Sequence, residues 1–358
     1  MVRWAQCWRC RFCRRESERC EVGEPLLDTD QLLSQTPLPM TPPTAFGGIC
    51  KNLEVLSTRI TKYTTISRTM ETTLPLPFLP SVALGQGSSD SAKGLTQTQL
   101  SYLGVVHFLA TTETVDELLR FLQKNISIAA HVDVTAIEST GDITTILDAG
   151  ARKIFVNVAQ FESLKAYGDR VIPTYEKGVT TYTNGVLVDG GVDASACKAI
   201  LEESKKSKTS SVFLTSKTTD LESFVKLAAE FSVVPIIPAS HLTIGSPSQG
   251  EISVSTLIGE SWTSDRTDKL VPTVVTDERG VSLGLVYSSQ ESLSESLKTG
   301  TGVYQSRKRG LWYKGATSGD TQELVRVSLD CDQDCLKFVV RQKGRGMWKL
   351  KCVPSLPS

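Results

Sequence analysis

The sequence predicts an α/β region of β/α repeats on a parallel sheet, followed by a small α+β, mostly antiparallel domain. Three observations carry this reading. From Gln99 to Ser240, short β-branched runs alternate with amphipathic stretches at helical spacing. The unit recurs roughly every 25 to 30 residues, the length of a βα step. After Leu270 the pattern becomes strand-rich, with turn residues between the strands. A chain of 358 residues is long enough to bury two such cores.

The elements follow in order. Residues 1–95 are rich in Thr, Ser, Pro and Arg and show no strand or helix period, so a disordered leader is expected, with the linker GQGSSDSAKG at Gly85–Gly94. The β/α domain spans 96–263. It opens with a buried strand over Tyr102–Ala110 and a helix over Val115–Gln123. Strands are expected at ISIAAHVDV, RKIFVNV, GVLVDGG, SSVFLTS and VVPIIPAS. Helices are expected at DITTILDAGA, QFESLKAYG, ASACKAILEESKK and DLESFVKLAAEF. Near-continuous apolar strands between helices are the mark of a parallel sheet covered on its faces. A short helix at Val254–Glu260 leads to the second domain, 264–346. Its strands are KLVPTVVTD, GVSLGLVYSS, GVYQSR, LWYKG, ELVRVSLDCD and CLKFVVRQKG, with one helix over SLSESLKTG. The turn Asp277-Glu278-Arg279-Gly280 joins the first two.

Composition narrows the function. The 39 basic and 39 acidic residues give no global pull toward nucleic acid or an anionic membrane. No apolar run approaches the roughly 20 residues of a membrane helix, and no apolar stretch follows the basic first residues as in a secretory signal. Nine cysteines fall in unequal clusters rather than a spaced disulfide framework, so a cytoplasmic protein is expected.

Two segments carry chemistry. In Leu324–Asp334, read as a strand, Val325, Val327, Leu329 and Cys331 share one face, while Arg326, Ser328, Asp330, Asp332 and Asp334 share the other. Three like charges on one face repel. Either a hard divalent cation such as Mg2+ compensates them, or the segment is a solvated acidic turn with a half-buried cysteine. A thiolate at Cys331 suits a softer metal such as zinc. Just upstream, Tyr304–Gln322 places Arg307, Lys308, Arg309 and Lys314 beside Thr317, Ser318 and Gly319. Arginine forks and glycine amides suit a phosphate; the same charges also suit a solvated strand edge. Trp312 reads as core, and Tyr313 is open to either a stacking or a packing role.

In this order the two segments closely resemble the phosphoribosyl-AMP cyclohydrolase family of histidine biosynthesis. The matching residues are Ser306-Arg307-x-Arg309, Leu311-Trp312-x-Lys314-Gly315-x-Thr317-Ser318-Gly319, Gln322 and Asp330-Cys331-Asp332-x-Asp334. The resemblance implies hydrolytic opening of the adenine ring of 1-(5-phosphoribosyl)-AMP by a zinc-activated water with Mg2+ assistance. It implies Asp330, Asp332 and Asp334 on Mg2+, Cys331 on zinc, and Ser306, Arg307, Arg309, Lys314, Thr317, Ser318, Gly319 and Gln322 on substrate phosphate and ribose. It also implies a homodimer. The segment from Met70 to Asp265 resembles the leader of the fungal trifunctional histidine-biosynthesis family, and its role is unassigned.

The resemblance departs at the end. The family continues after Gly346 through Cys-His and a further Cys, whereas this chain reads Met347-Trp348-Lys349-Leu350-Lys351-Cys352. Residues 347–358 therefore read as an aberrant tail, expected to be translated intron, and residues 1–69 as in-frame upstream sequence before Met70. The alternative function is a catalytically dead nucleotide-binding fragment or scaffold with an incomplete zinc site. Cys335 reads as a small buried apolar residue. The Cys7, Cys10, Cys13, Cys20 run sits among arginines without a core and reads as no metal site. Asp189-Gly190-Gly191 reads as a tight turn, and His107, His131 and His241 as core histidines. An isomerase-like β/α domain would need a phosphate site and a paired acid and base at strand ends, and the sequence does not assemble that pair.

Overall fold

The computed structural model describes residues 76–85, 94–176, 185–189, 198–203, 211–215 and 220–344, all within the unit Arg68–Ser358. The chain first builds a parallel sheet from β1 (Leu79–Ala83), β2 (Val105–Thr111), β3 (Ala129–Ala136), β4 (Lys153–Val156), β5 (Val171–Pro173), β6 (Val186–Asp189), β7 (Val212–Thr215) and β8 (Val234–Pro238). Its order is β5-β4-β3-β2-β1-β8-β7-β6. A parallel bridge from Thr174 to Leu187, with Tyr175 N donating to Leu187 O at 2.7 Å, joins the two ends, so the eight strands close into a barrel.

Helices cover the strands: α1 (Gln97–Leu103), α2 (Val115–Lys124), α3 (Thr140–Asp148), α4 (Val158–Leu164) and α5 (Leu221–Phe231), with a further helical segment at 198–203. Their starts follow capping chemistry. Thr96, Ser139, Asn157 and Asp220 each accept a backbone N–H of the first turn. In α2 the apolar stripe Val115, Leu118 and Leu122 is buried, as the spacing predicts.

Two expectations change. The composition predicts a leader through residue 95, yet Leu79–Ala83 is a central strand paired with both β2 and β8. Five residues flanked by Pro and Gly give too short a period to stand out as a strand; burial of Leu76, Phe78 and Leu79 decides it. The strand placed over Tyr102–Ala110 begins later, because Tyr102 and Leu103 end α1 and Gly104, at φ 69°, caps it in the left-handed region. The strand β5, three residues long, carries no sequence period of its own.

Two short strands, β9 (Leu242–Thr243) and β10 (Ile252–Ser253), precede α6 (Val254–Ser261). Then come β11 (Val271–Thr276), β12 (Ser282–Ser288), α7 (Gln290–Thr299), β13 (Val303–Ser306), β14 (Gly310–Tyr313), β15 (Gln322–Leu329) and β16 (Leu336–Gln342). A four-stranded sheet runs β12-β11-β16-β15, parallel only between β11 and β16, and β13–β14 form a separate hairpin. The change of architecture near residue 264 is a change of sheet and not a break in the core. One apolar cluster contains Leu79, Val105 and Phe213 of the barrel together with Val271, Leu324 and Phe338. At the junction Arg326 donates to Ser127 O. A Cβ on Gly104 would fall within 2.4 Å of the Arg326 Nε.

Inside the barrel, Ser81, His107, His131 and Lys153 stand side by side across β1 to β4. Burial pushes the His107 imidazole down to about 4. Burial first, then the Lys153 charge, pushes His131 down to about 3. Both are neutral in the folded chain, and unfolding returns them toward the ordinary value near 6.5. The unfolded chain therefore binds more protons below that value, and stability falls as pH drops from about 6.5 toward 4. Each histidine contributes up to about 1.4 kcal/mol per pH unit. Urea unfolding between pH 4.5 and 7 should show that slope, and a His107→Gln/His131→Gln chain should lose it.

Candidate active site

The hairpin β13–β14 turns through Arg307, Lys308 and Arg309, all exposed. Ser306 Oγ accepts the Arg309 N–H at 3.3 Å and Gly310 takes φ 73°, which sets the tip. The Arg307 guanidinium lies 5.3 Å from the centre of the Tyr287 ring, and Arg266 lies 4.8 Å from the same ring. Arg309 sits 5.2 Å over Trp312, whose ring packs on the buried Tyr304, so Trp312 is core-facing as expected. Tyr313 is exposed and donates to Glu295 at 3.0 Å. Arg266 forks onto Asp268 at 2.8 and 2.6 Å. That hydrogen bond, aided by Arg307, holds the Asp268 carboxyl below the usual range. Arg266 and Asp268 have no sequence signal, and Tyr287 only the resemblance of LGLVYSSQESL to the family; the fold brings all three to the arginine tip.

After β14 the chain coils from Lys314 to Thr321. Lys314 Nζ donates to Asp320 O at 3.0 Å, Gly319 N to Gly315 O at 2.8 Å, and Asp320 N to Ser318 Oγ at 3.3 Å. Gly315, at φ 83°, is required: a Cβ there would lie 2.4 Å from the Asp320 carbonyl carbon. Thr317, Ser318 and Gly319 are exposed. Gln322 differs from its expected role on substrate. It is buried, accepts from Tyr304 Oη at 2.6 Å and donates to Gln342 at 3.0 Å, so its amide is a strut of the core.

The acidic segment also folds differently from the strand reading. A bulge between Leu324 and Arg326 shifts the alternation, so Leu324, Val327 and Leu329 are buried and Val325 only half-buried. The strand stops at Leu329, and Asp330–Asp334 form a tight turn. Asp330 Oδ1 accepts from Asp334 N and Cys335 N, each at 3.1 Å, and Asp330 N donates to Cys335 O at 3.0 Å. Gln333 takes φ 60° to close it. The carboxylate oxygens of Asp330, Asp332 and Asp334 come within 4.8 Å of one another. Convergence thus comes from the turn, not from a strand comb, and Cys331 is an exposed residue of the same turn. Burial, then the neighbouring acids, raises the Asp330 carboxyl. Cys335 is half-buried, and burial pushes its thiol up to about 11.

The segment 263–270 ties the acids to the arginine tip. Thr263 N donates to Gln333 O at 2.8 Å in the acidic turn, and Arg266 meets Arg307 over Tyr287. The Lys314–Gln322 coil is not brought to the acids within one chain. It lies at the opposite end of β15, about 25 Å away by strand rise. The runs at Cys7–Cys20 and 345–358, with Cys197 and Cys352, lie outside the described residues.

Three oxygen ligands at this spacing fit a hard divalent cation. They do not make a zinc site: among the described residues the one metal-ligating group is the three aspartates, without thiol or imidazole.

Residues 284–349 match the family described as phosphoribosyl-AMP cyclohydrolase, and the chain carries a domain of that family there. A histidine biosynthesis trifunctional protein of Neurospora crassa is 50% identical over 284 residues, covering 77% of this chain and 33% of that protein. A histidine biosynthesis bifunctional protein of Schizosaccharomyces pombe is 56% identical over 120 residues, 33% of this chain and 29% of that protein. A phosphoribosyl-AMP cyclohydrolase of Chloroherpeton thalassium is 47% identical over 83 residues, 22% of this chain and 59% of that protein. The chain thus spans about a third of the length of the fungal relatives and matches the N-terminal part of the trifunctional protein.

The turn separates two kinds of aspartate. Asp330→Ala strips the acceptor from two backbone N–H groups and should cost about 1–3 kcal/mol. Asp332→Ala, at an exposed position, should leave the denaturation midpoint within about 0.5 kcal/mol of the parent. Chemical denaturation of both variants without metal checks this.

Proposed function

We propose that the C-terminal region hydrolyses 1-(5-phosphoribosyl)-AMP in histidine biosynthesis. Water oxygen bonds to C6 of the adenine ring, the N1–C6 bond breaks, and N1 takes the proton. The observation that supports this reading most is the cationic hairpin tip joined through Arg266, Tyr287 and Asp268 to a turn of three converging carboxylates, with the tip, Tyr287 and the turn inside the matched region.

In this reading Arg307 and Arg309 bind the substrate phosphates as planar forks. Tyr287 and Asp268 fix the guanidinium of Arg266 beside them. Asp330, Asp332 and Asp334 would hold Mg2+, which supplies positive charge against the phosphorylated substrate. Asp330, tied into the turn by two N–H groups, sets the position of the other two. Zinc does not close on the described residues. Cys331 is one exposed thiol, and the raised Cys335 disfavours a second thiolate. The Lys314–Gly319 coil is distant from the acids in one chain; in this reading it would meet the acids of a second copy, in a homodimer. Free cysteines suit a reducing, cytoplasmic setting. Among the described residues the metal-ligating group includes no thiol, which favours a second reading, in which the chain binds the nucleotide without turning it over.

Turnover of phosphoribosyl-AMP, followed by absorbance, decides between the two. Ring opening with a saturable rate supports the hydrolase; tight nucleotide binding at zero rate supports the binding fragment. Arg307→Ala should raise KM about ten- to a hundredfold, the loss expected for a charged hydrogen bond, with little change in stability. Asp332→Ala should abolish Mg2+ heat in calorimetric titration. Unaltered Mg2+ affinity would remove the acids from the metal role.

A further inference from the structure

The barrel interior holds polar groups that neither its packing nor the cyclohydrolase reading uses. Eight-stranded parallel barrels are normally filled by layers of branched apolar side chains. Here a row across four neighbouring strands reads Ser81, His107, His131 and Lys153. His107 is 4% exposed and His131 2%. Ser81 Oγ meets His107 Nδ1 at 2.9 Å, but His107 Nε2 and His131 Nδ1 have no hydrogen-bond partner. The His131 ring lies 6.2 Å from Phe213 of β7 and 6.5 Å from Phe155, so it points across the barrel and not out toward the helices. Leaving such nitrogens buried and unsatisfied costs about 1–3 kcal/mol each.

One step nearer the carboxyl ends of the strands, Asp133 follows His131 on the same face of β3. It accepts from Thr135 N at 3.0 Å and Thr135 Oγ1 at 2.6 Å. Across the barrel Asp189 ends β6, in register with Thr215, whose hydroxyl donates to it at 3.2 Å. Burial raises the Asp133 carboxyl, and the Asp189 charge raises it further, so the two acids sense each other over the mouth. Two carboxylates thus stand at strand ends, where the sequence assembles no acid–base pair. The mouth at the carboxyl ends of the strands is where such barrels hold ligands.

We propose that the C-terminal mouth of the barrel is a second small-molecule site of this chain, taking a sugar-like, polyhydroxylated ligand whose hydroxyls donate to Asp133 and Asp189 above a floor of His131 and His107. Carboxylates only accept, whereas an imidazole nitrogen donates or accepts according to tautomer. A hydroxyl does both, so one ligand chemistry serves both kinds of group. An ammonium would satisfy the acids, but the Lys153 cation stands beside His131 in the same row and opposes it.

The test uses the full chain labelled with 15N-histidine and titrated with D-ribose. The ring nitrogen signals of His107 and His131 should move saturably. Asp133→Asn and Asp189→Asn should each weaken the apparent Kd about tenfold or more, while phosphoribosyl-AMP turnover or binding stays unchanged. Asp189 is exposed, so its variant tests the site even where Asp133→Asn fails to fold. Ring signals that stay fixed at high ribose overturn the proposal. So do shifts equal in size and midpoint in Asp189→Asn, or a response to putrescine in place of ribose.

Discussion

The architecture depends on β1. Leu79–Ala83 hydrogen-bonds to β2 on one side and β8 on the other, which places the first strand between the second and the last. Without it, two long apolar strands would expose unpaired backbone edges, a state that parallel sheets do not tolerate. Closure at the far side runs, among the described residues, through the bridge of Thr174 and Leu187. A segment of five residues thus fixes the path of more than a hundred that follow.

The second constraint is the shared core. The sheet β12-β11-β16-β15 does not stand apart from the barrel; Phe338 and Leu324 belong to the same apolar cluster as Val105 and Phe213. Arg326 seals the seam, and Gly104 leaves room for its guanidinium. The acidic turn and the arginine tip hang from this sheet. Their relative placement follows from segment 263–270, which contacts both. The site therefore rests on packing that includes the barrel, although its chemical groups all lie beyond it.

Electrostatics explain which groups stay in water. The three carboxylates and three tip cations are mostly exposed, where desolvation is small and a bound ion or phosphate has access. Gln322, by contrast, is buried with both amide ends satisfied, which is the condition for keeping a polar side chain inside. Inside the barrel the two imidazoles avoid the cost of a buried charge by remaining neutral.

The two architectures, most helices, and the residues of the basic hairpin and acidic turn are legible in the amino-acid order. These are written in local periodicity, caps and contiguous motifs, which need no distant partner. The sequence did not show β1, set in a leader rich in Thr, Ser and Pro, or β5, three residues that follow a helical turn at once; both are defined by neighbours far along the chain. It misplaced the geometry of Asp330–Asp334, since a turn and a strand end share the same composition and only the backbone hydrogen bonds to Asp330 distinguish them. It gave no sign of Arg266, Asp268 and Tyr287 beside the arginine tip, nor of Asp133 facing Asp189. Each of those meetings joins residues brought together only by sheet register and barrel closure, and tertiary structure alone decides them.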